Sequence, residues 1–175
     1  LKSARNNGCT IAFDLNYREH LWTPAAAKKA WTPLLKFVDI LVSNRDVSEF
    51  VFGFNGNDEE LMKHYAEEFG CHTVCMTRRE MMGLRRGAWS SSALNLGDFV
   101  QGGRIEFDIL DRYGTGDAWF AGFLYGFFEQ DVGYALSFGN AMCALAHTIA
   151  GDIAHVTPQE VKLVIDGTGD LRLKR

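Results

Sequence analysis

The sequence predicts an α/β fold in three layers, with a largely parallel sheet covered by helices on both faces. Short apolar segments such as 39–43 and 72–77 are typical of buried strands, because a strand covered on both faces carries few polar side chains. Segments with apolar residues at helical spacing alternate with these strands, as in a parallel sheet with helical crossovers. The length of 175 residues and the lack of internal repeats predict one domain, or one large part of a bigger one.

The composition excludes several classes of protein. Apolar residues make up 47% of the chain and charged residues 23%, which is typical of a globular domain. A net charge of −4 argues against non-specific binding to nucleic acid. No apolar segment reaches the roughly 18 residues of a membrane span, and residues 1–7 do not resemble a signal peptide. The four cysteines form no C-x-x-C pair, so we expect reduced thiols in a cytoplasmic protein rather than a zinc site or disulfides.

Local start and stop signals define most of the elements. Thr23 precedes a proline at the first helical position, and the pairs Asn57/Glu60 and Thr157/Glu160 form capping boxes. The predicted strands are 10–14, 39–43, 72–77, about 84–89 and about 104–110, with a turn at 101–103. The predicted helices are 24–38, with a break or kink at Pro33, then 44–52, 57–69, 117–129, 132–149 and a last helix from 157.

Polar residues follow four of the predicted strands, after residues 13, 42, 76 and 110. Ligands of open α/β sheets bind beyond the carboxyl ends of the strands. We therefore expect these segments to line one crevice.

The segment 114–117, Gly-Thr-Gly-Asp, lies between a strand and an apolar helix. Two glycines allow backbone N–H groups to form a concave anion site, and the positive end of the following helix adds to it. Asp117 would then be a carboxylate beside a phosphate, able to take a proton from an attacking hydroxyl. The alternative is structural, with a tight glycine turn and Asp117 as a helix cap.

Two common nucleotide motifs do not fit. The chain has no Gly-x-x-x-x-Gly-Lys-Ser/Thr segment, and Trp119 stands where a dinucleotide fingerprint has its third glycine. The missing glycine argues against the alternative of a dinucleotide oxidoreductase. Gly122 and Gly126 are expected to allow close helix packing rather than ligand contact, and His147 is expected to be a core residue.

Three segments, in the same order along the chain, resemble the ribokinase/phosphofructokinase-B family of carbohydrate kinases. Residues 111–122 (DRYGTGDAWFAG) resemble its C-terminal signature. Residues 13–22 (FDLNYREHLW) and 147–152 (HTIAGD) resemble segments of its 2-keto-3-deoxygluconate kinase branch, the first also being similar to fructokinases. The resemblance implies a ribokinase-like fold and ATP-dependent phosphorylation of a small sugar or sugar acid. The preferred substrate of the implied kinase is 2-keto-3-deoxygluconate, with fructose second.

The resemblance also implies roles for particular residues. Asp117 matches the catalytic base, and the anion hole matches Gly114, Thr115 and Gly116. The implied substrate-binding residues are Asn16, Arg18, Asp117 and Asp152. The implied nucleotide-binding residues are Asn16, Asn44, Thr77, Arg78, Gly83, Gly114, Thr115, Gly116 and Asn140. Arg18 would hold an acidic substrate, since its planar fork suits a carboxylate, or would form a surface salt bridge. Mg²⁺ would bridge the ATP phosphates, and no side chain is assigned as its ligand.

The chain departs from the family pattern at several positions. Family members usually show Asn-x-x-Glu where Val47 follows Asn44, with Asp46 or Glu49 as possible substitutes, and a glycine where Arg79 stands. A full member is about twice as long, so the N-terminal half with its lid and most sugar contacts is expected to be missing. These departures leave open a non-catalytic remnant, and they predict a chain that self-associates or needs a partner.

Overall fold

The computed structural model describes residues 1–167 and contains one sheet, with the strands in chain order. The strands are β1 (Ala12–Asp14), β2 (Ile40–Ser43), β3 (Thr73–Met81), β4 (Arg86–Asn95) and β5 (Asp98–Asp108). The helices are α1 (Lys2–Asn6), α2 (Pro24–Leu35), α3 (Arg45–Val47), α4 (Asp58–Phe69), α5 (Thr115–Glu129), α6 (Val132–His147) and α7 (Pro158–Ile165), and a π-helical turn, Ser48–Phe52, continues α3. The predicted α/β fold is confirmed, and helices flank a mixed sheet.

The parallel part of the sheet comprises β1, β2 and β3, where Ala12 pairs with Ile40 and Ile40 pairs with Thr73. Helices α2 and α4 lie between these strands in the chain, because parallel neighbours need a long crossover. The connections 82–85 and 96–97 are short hairpins, so β4 and β5 run antiparallel to their neighbours.

The turn predicted at 101–103 is wrong. The hairpin turn lies at Leu96–Gly97, where both residues have positive φ, and Gly102 is inside β5. A Cβ atom on Gly102 would lie 2.7 Å from the backbone oxygen of Ser91. This glycine therefore permits a close approach of two strands, a use that a local reading cannot separate from a turn.

The chain divides into two compact units. The first contains residues 1–78 and 92–101. Its helices follow their predicted start signals: Thr23 caps α2, Asn57 and Glu60 form the capping box of α4, and Gly70 ends α4 in a left-handed conformation. Helix α1, which buries no residue, was not predicted. The core of this unit is rich in aromatic residues, with Trp31, Phe52, Tyr65 and Phe69 among them.

The second unit contains residues 79–91 and the segment from 102 onward. Helices α5 and α6 pack closely, because a Cβ on Gly122 would lie 2.8 Å from Met142 Cβ and one on Gly126 would lie 2.7 Å from Ala135 Cα. The predicted packing role of these two glycines is confirmed. Within residues 1–167, no helix is both long and apolar enough to cross a membrane.

Candidate active site

The segment 114–117 forms the turn that begins α5, and we call it the anion turn. Gly114 is the N-cap, with a φ of 67° that is unfavourable for residues with a side chain. The first N–H to find a backbone acceptor in the helix is that of Ala118, which donates to Gly114 O at 2.8 Å. The preceding N–H groups of the first turn lack helical acceptors. These N–H groups lie in the same turn as the exposed carboxylate of Asp117, and the predicted anion site remains a prediction.

The backbone of Asp152 packs against the anion turn. A Cβ atom on Gly114 would overlap the carbonyl oxygen of Asp152, so only glycine fits at position 114. The Asp152 side chain is exposed. The structure thus brings two of the predicted site residues, which are far apart in sequence, into direct contact.

Asp111 connects the segment before α5 with Gly151, in the loop after α6, through hydrogen bonds. The sequence did not indicate a separate function for this residue. Its carboxylate accepts N–H groups from Arg112 at 2.6 Å, Tyr113 at 3.3 Å and Gly151 at 2.9 Å. These bonds stabilise the charged carboxylate, so the bond from Gly151, followed by those from Arg112 and Tyr113, lowers the pKa of Asp111. Its place at the head of the family-like segment was the available signal, but the partner Gly151 is remote in sequence.

Replacement of Asp111 by asparagine is expected to lower stability in a pH-dependent way. Because the folded-state pKa is depressed, the contribution of the carboxylate is present above its unfolded pKa and lost as the pH falls through the folded pKa. The difference in melting temperature between wild type and Asp111→Asn should be full near neutral pH and shrink below about pH 4. Thermal unfolding followed by circular dichroism over this range measures it, with the exposed Asp108→Asn as control. A difference that stays constant with pH would contradict the role of the charge.

Thr115 is buried and its hydroxyl is fixed by two hydrogen bonds. The hydroxyl donates to Arg112 O at 3.2 Å and accepts from Arg79 Nη2 at 3.0 Å. The guanidinium carbon of Arg79 also lies 5.3 Å from the ring centroid of Trp89. Arg79, which departs from the family pattern in sequence, therefore contacts the anion turn directly.

Asn140 is fully buried and its side chain is engaged within the protein. Its Oδ1 accepts from Ser91 Oγ at 2.6 Å and from Trp119 Nε1 at 2.9 Å, and its Nδ2 donates to Gly103 O at 2.8 Å. A direct bond to a nucleotide would compete with these contacts. We therefore propose that Asn140 positions α5 and α6 instead of binding adenine or ribose.

His147 is a core residue, as predicted. It is fully buried, stacks on Phe107 with ring centroids 4.1 Å apart, and has Nδ1 2.8 Å from Cys143 O. Burial lowers its pKa and thus favours the neutral ring. Its backbone oxygen accepts N–H groups from Leu110 and Asp111, which ties the end of α6 to the segment entering the anion turn.

Gly83 lies in the hairpin between β3 and β4, has a φ of 159° and is exposed. The neighbouring Leu84 O accepts from Arg112 Nη2 at 3.4 Å. The predicted contact of Gly83 with nucleotide remains a prediction.

The remaining predicted residues belong to the first unit, after β1, after β2 and in β3 where its parallel pairing with β2 ends. Asn16 follows β1 with a φ of 38°, and its N–H donates to Asp14 Oδ1 at 3.0 Å. Asn44 caps α3 through Val47 N at 2.9 Å, and Thr77 Oγ1 lies 3.5 Å from Ser43 O. Three of the four predicted polar segments are thus at one edge of the parallel strands, and the fourth belongs to the second unit.

Two basic residues complete this set. Arg78 and Arg18 are both exposed. Among residues 1–167, Arg18 forms no ion pair with an acidic side chain. Its predicted contact with an acidic substrate remains a prediction.

The position where the family pattern has glutamate is occupied by Val47, which is buried in the core of the first unit. Glu49, a possible substitute, accepts from Arg45 at 3.1 Å on the surface, and Asp46 is exposed. Neither carboxylate stands three residues after Asn44, where the family pattern has glutamate.

The chain is thus an α/β protein in which a glycine turn, with a carboxylate close behind it, begins a helix that follows the strands of a mixed sheet. Residues 1–159 match the description "pfkB family carbohydrate kinase", and the chain belongs to this family. This family match excludes the alternative that the chain is a dinucleotide oxidoreductase.

Three relatives illustrate the similarity. The chain is 37% identical to a 2-dehydro-3-deoxygalactonokinase of Haloferax volcanii, over all of this chain and 52% of the relative. A 2-dehydro-3-deoxygluconokinase structure from Thermotoga maritima is 29% identical with a TM-score of 0.89, over 95% of this chain and 53% of the other. A candidate ribokinase II of E. coli in complex with ATP and Mg²⁺ shares the fold, with a TM-score of 0.71 and 24% identity over 95% of this chain and 51% of that one. The chain thus spans about half the length of the relatives it matches.

Proposed function

We propose that this chain is the nucleotide-binding, base-bearing part of a kinase that transfers phosphate from ATP to a hydroxyl of a 2-keto-3-deoxy sugar acid. The observation that carries the proposal is the anion turn with Asp117 in its first turn, in a chain of the pfkB family. The protein would be cytoplasmic and would act on a small-molecule substrate.

In the proposed reaction, Asp117 accepts the proton of the substrate hydroxyl as its oxygen bonds to the γ-phosphorus of ATP. The bond from phosphorus to the bridging oxygen breaks, and ADP leaves with that electron pair. The N–H groups of the first turn of α5 stabilise the negative charge on the transferring group. Glycine at 114 and the bonds of Asp111 fix this geometry before the substrates bind.

Mg²⁺ would accompany ATP, as in the complex of the E. coli protein. The exposed carboxylates near the anion turn are those of Asp117 and Asp152, and residues 1–167 contain no group of three or more His, Cys, Asp or Glu side chains that could hold a metal ion. This donor set fits an ion bound mainly by phosphate oxygens and water, with the carboxylates as water acceptors. The ion would neutralise charge on the phosphates.

The substrate class is supported by Arg18 and by the names of two relatives. Arg18 is exposed, lies in the segment that resembles the keto-deoxy-acid branch, and can bind a carboxylate in bidentate fashion. Two of the three relatives named above are a 2-dehydro-3-deoxygalactonokinase and a 2-dehydro-3-deoxygluconokinase. Fructose phosphorylation is the second candidate. A non-catalytic remnant is the third, favoured by the burial of Val47 at the glutamate position.

Arg18→Lys tests the substrate class. Lysine keeps the charge but loses the planar fork, so kcat/KM should fall by about 10-fold or more for 2-keto-3-deoxygluconate and change little for fructose. ADP release with each sugar is the measurement, and the exposed Lys29→Arg is the matched control. Equal losses on both sugars would move fructose ahead of the keto-deoxy acid, and nucleotide binding without turnover on any sugar would favour the remnant.

The length of the chain affects how this assay is done. Because the chain covers about half of its relatives, we propose that a homo-oligomer or an N-terminal half completes the sugar site. The assay is therefore run on the chain alone and with the N-terminal half of a relative supplied in trans. Strong sugar-stimulated turnover by the chain alone would contradict the need for a second part.

A further inference from the structure

Three buried hydroxyl groups lie together in the first unit, at the carboxyl end of β2, and we call them the hydroxyl cluster. They belong to Ser43, the last residue of β2, to Ser48, which begins the π-helical turn, and to Tyr65 of α4. None of these residues is more than 3% exposed. The oxygen of Tyr65 lies 3.2 Å from each serine Oγ, and the two serine Oγ atoms are 3.3 Å apart. Such polar groups are costly to bury unless each hydrogen has an acceptor.

The hydrogens of the hydroxyl cluster lead to one acceptor, the backbone oxygen of Asn44. Ser48 Oγ donates to Asn44 O at 2.8 Å, and Ser43 Oγ donates to it at 3.3 Å. Tyr65 remains a neutral donor, because burial raises its pKa to about 12. The Tyr65 hydroxyl donates to Ser48 Oγ, whose own hydrogen is used for Asn44. The cluster therefore fixes the backbone of Asn44 from the buried side.

The helix that follows Asn44 is irregular at the same point. Ser48 donates both its N–H, at 3.1 Å, and its hydroxyl to Asn44 O. A hydroxyl bond to the carbonyl four residues earlier often bends a helix, and the π-helical turn Ser48–Phe52 begins at this residue. Single π-helical turns are frequent at functional sites. Ser48 thus sets how the helix leaves Asn44.

The side chain of Asn44 is fixed through its oxygen. Its Oδ1 accepts from Val47 N at 2.9 Å and so caps α3. The nitrogen Nδ2 is bound to the same carbon as Oδ1, so it is directed away from Val47 N. Within residues 1–167, Nδ2 donates no hydrogen bond, and the side chain is half-buried. Two amide N–H groups are therefore held in one orientation just beyond the end of β2.

We propose that Ser48 and Tyr65 are positioning residues for Asn44, which hold its amide N–H groups where a phosphate oxygen of a nucleotide accepts them. The inference rests on the proposed function, because Asn44 is one of its predicted nucleotide-binding residues, and it adds two residues that touch no ligand themselves. A side chain that is held in place before binding loses less conformational entropy when the ligand arrives. Loss of the Ser48 hydroxyl should therefore weaken nucleotide binding through Asn44, although Ser48 is buried.

The test is a double-mutant cycle, read by calorimetry with ADP. Ser48→Ala should weaken ADP binding by about 3-fold to 10-fold, and Tyr65→Phe should weaken it less, because the bond from Ser48 to Asn44 remains. Asn44→Ser keeps a capping oxygen but removes the amide N–H groups. In the Asn44→Ser background, Ser48→Ala should therefore cause no further loss of affinity. We expect Ser48→Ala to fold, since Tyr65 keeps Ser43 Oγ as an acceptor at 3.2 Å.

Thr73→Val is the matched control. Thr73 is buried at the first residue of β3, in the same unit, and its hydroxyl donates to Asn95 Oδ1 at 2.8 Å. The substitution removes one buried hydrogen bond, as Ser48→Ala does. It should lower the melting temperature and leave the affinity for ADP unchanged.

The outcomes separate this inference from the proposed function. Unchanged ADP affinity in Ser48→Ala or in Asn44→Ser, with wild-type binding intact, overturns the inference and leaves the function standing. Additive losses in the double variant assign Ser48 a merely structural role, and so does an equal loss of affinity in Thr73→Val. No binding of ADP by the wild type contradicts both the inference and the proposed function.

Discussion

Replacing Asp117 by asparagine is expected to lower kcat about 10²–10⁴-fold in any preparation with turnover, while the affinity for ATP stays nearly unchanged. Asparagine has almost the same shape but cannot take the proton of the attacking hydroxyl. The N–H groups of the anion turn belong to the backbone and remain in place. Steady-state kinetics gives kcat, and calorimetry gives the affinity for ATP.

The control for this experiment is Asp108→Asn, which removes an exposed carboxylate from the same unit. It should leave both quantities unchanged. Near-normal kcat in Asp117→Asn would remove the base assignment. Since Gly114 is the N-cap, Asp117 would then be an acidic residue that interacts favourably with the positive end of α5.

Gly114→Ala is expected to have the largest structural effect of any substitution at the anion turn. A residue other than glycine at a φ of 67° costs roughly 1–2 kcal/mol of folding free energy. The new Cβ would also overlap the carbonyl oxygen of Asp152, which is backbone and cannot rotate away. The turn and the 151–152 loop must therefore separate, so nucleotide affinity should fall together with stability. Urea unfolding measures the free energy, and calorimetry with ADP measures the affinity.

Gly116→Ala provides the matched control for stability. A Cβ on Gly116 meets no atom within 4 Å, and this glycine is inside α5, where alanine is the better helix former. Its free energy of unfolding should be equal to or above that of wild type. If Gly114→Ala were as stable as Gly116→Ala, the close contact with Asp152 would not be a constraint on the turn.

The parts of the fold that the sequence predicts best are those governed by local interactions. The capping boxes and glycine stops depend on residues within four positions of one another, so α2, α4 and α7 begin where expected. The turn predicted at 101–103 fails because Gly102 is needed for contact with Ser91, a residue ten or more positions away.

The same distinction holds for the candidate site. The anion turn and Asp117 form one short segment, so the sequence suffices to propose them. The hydrogen bonds of Asp111 with Gly151 and of Arg79 with Thr115 join residues that are distant in sequence and close only in the folded chain. From the sequence alone, Arg79 is only a departure from the family pattern, because glycine is the usual residue there. No residue near it in sequence indicates what its guanidinium contacts.

The hydrogen bonds around Asp111 and His147 have a consequence for the thermodynamics of ligand binding. Before any ligand arrives, His147 O takes the N–H groups of Leu110 and Asp111, and the Asp111 carboxylate takes three more, including that of Gly151. The conformational entropy of this loop is therefore lost when the protein folds and is not lost again on association. A phosphate that binds here meets a preorganised turn, and little of its binding enthalpy is offset by ordering the chain.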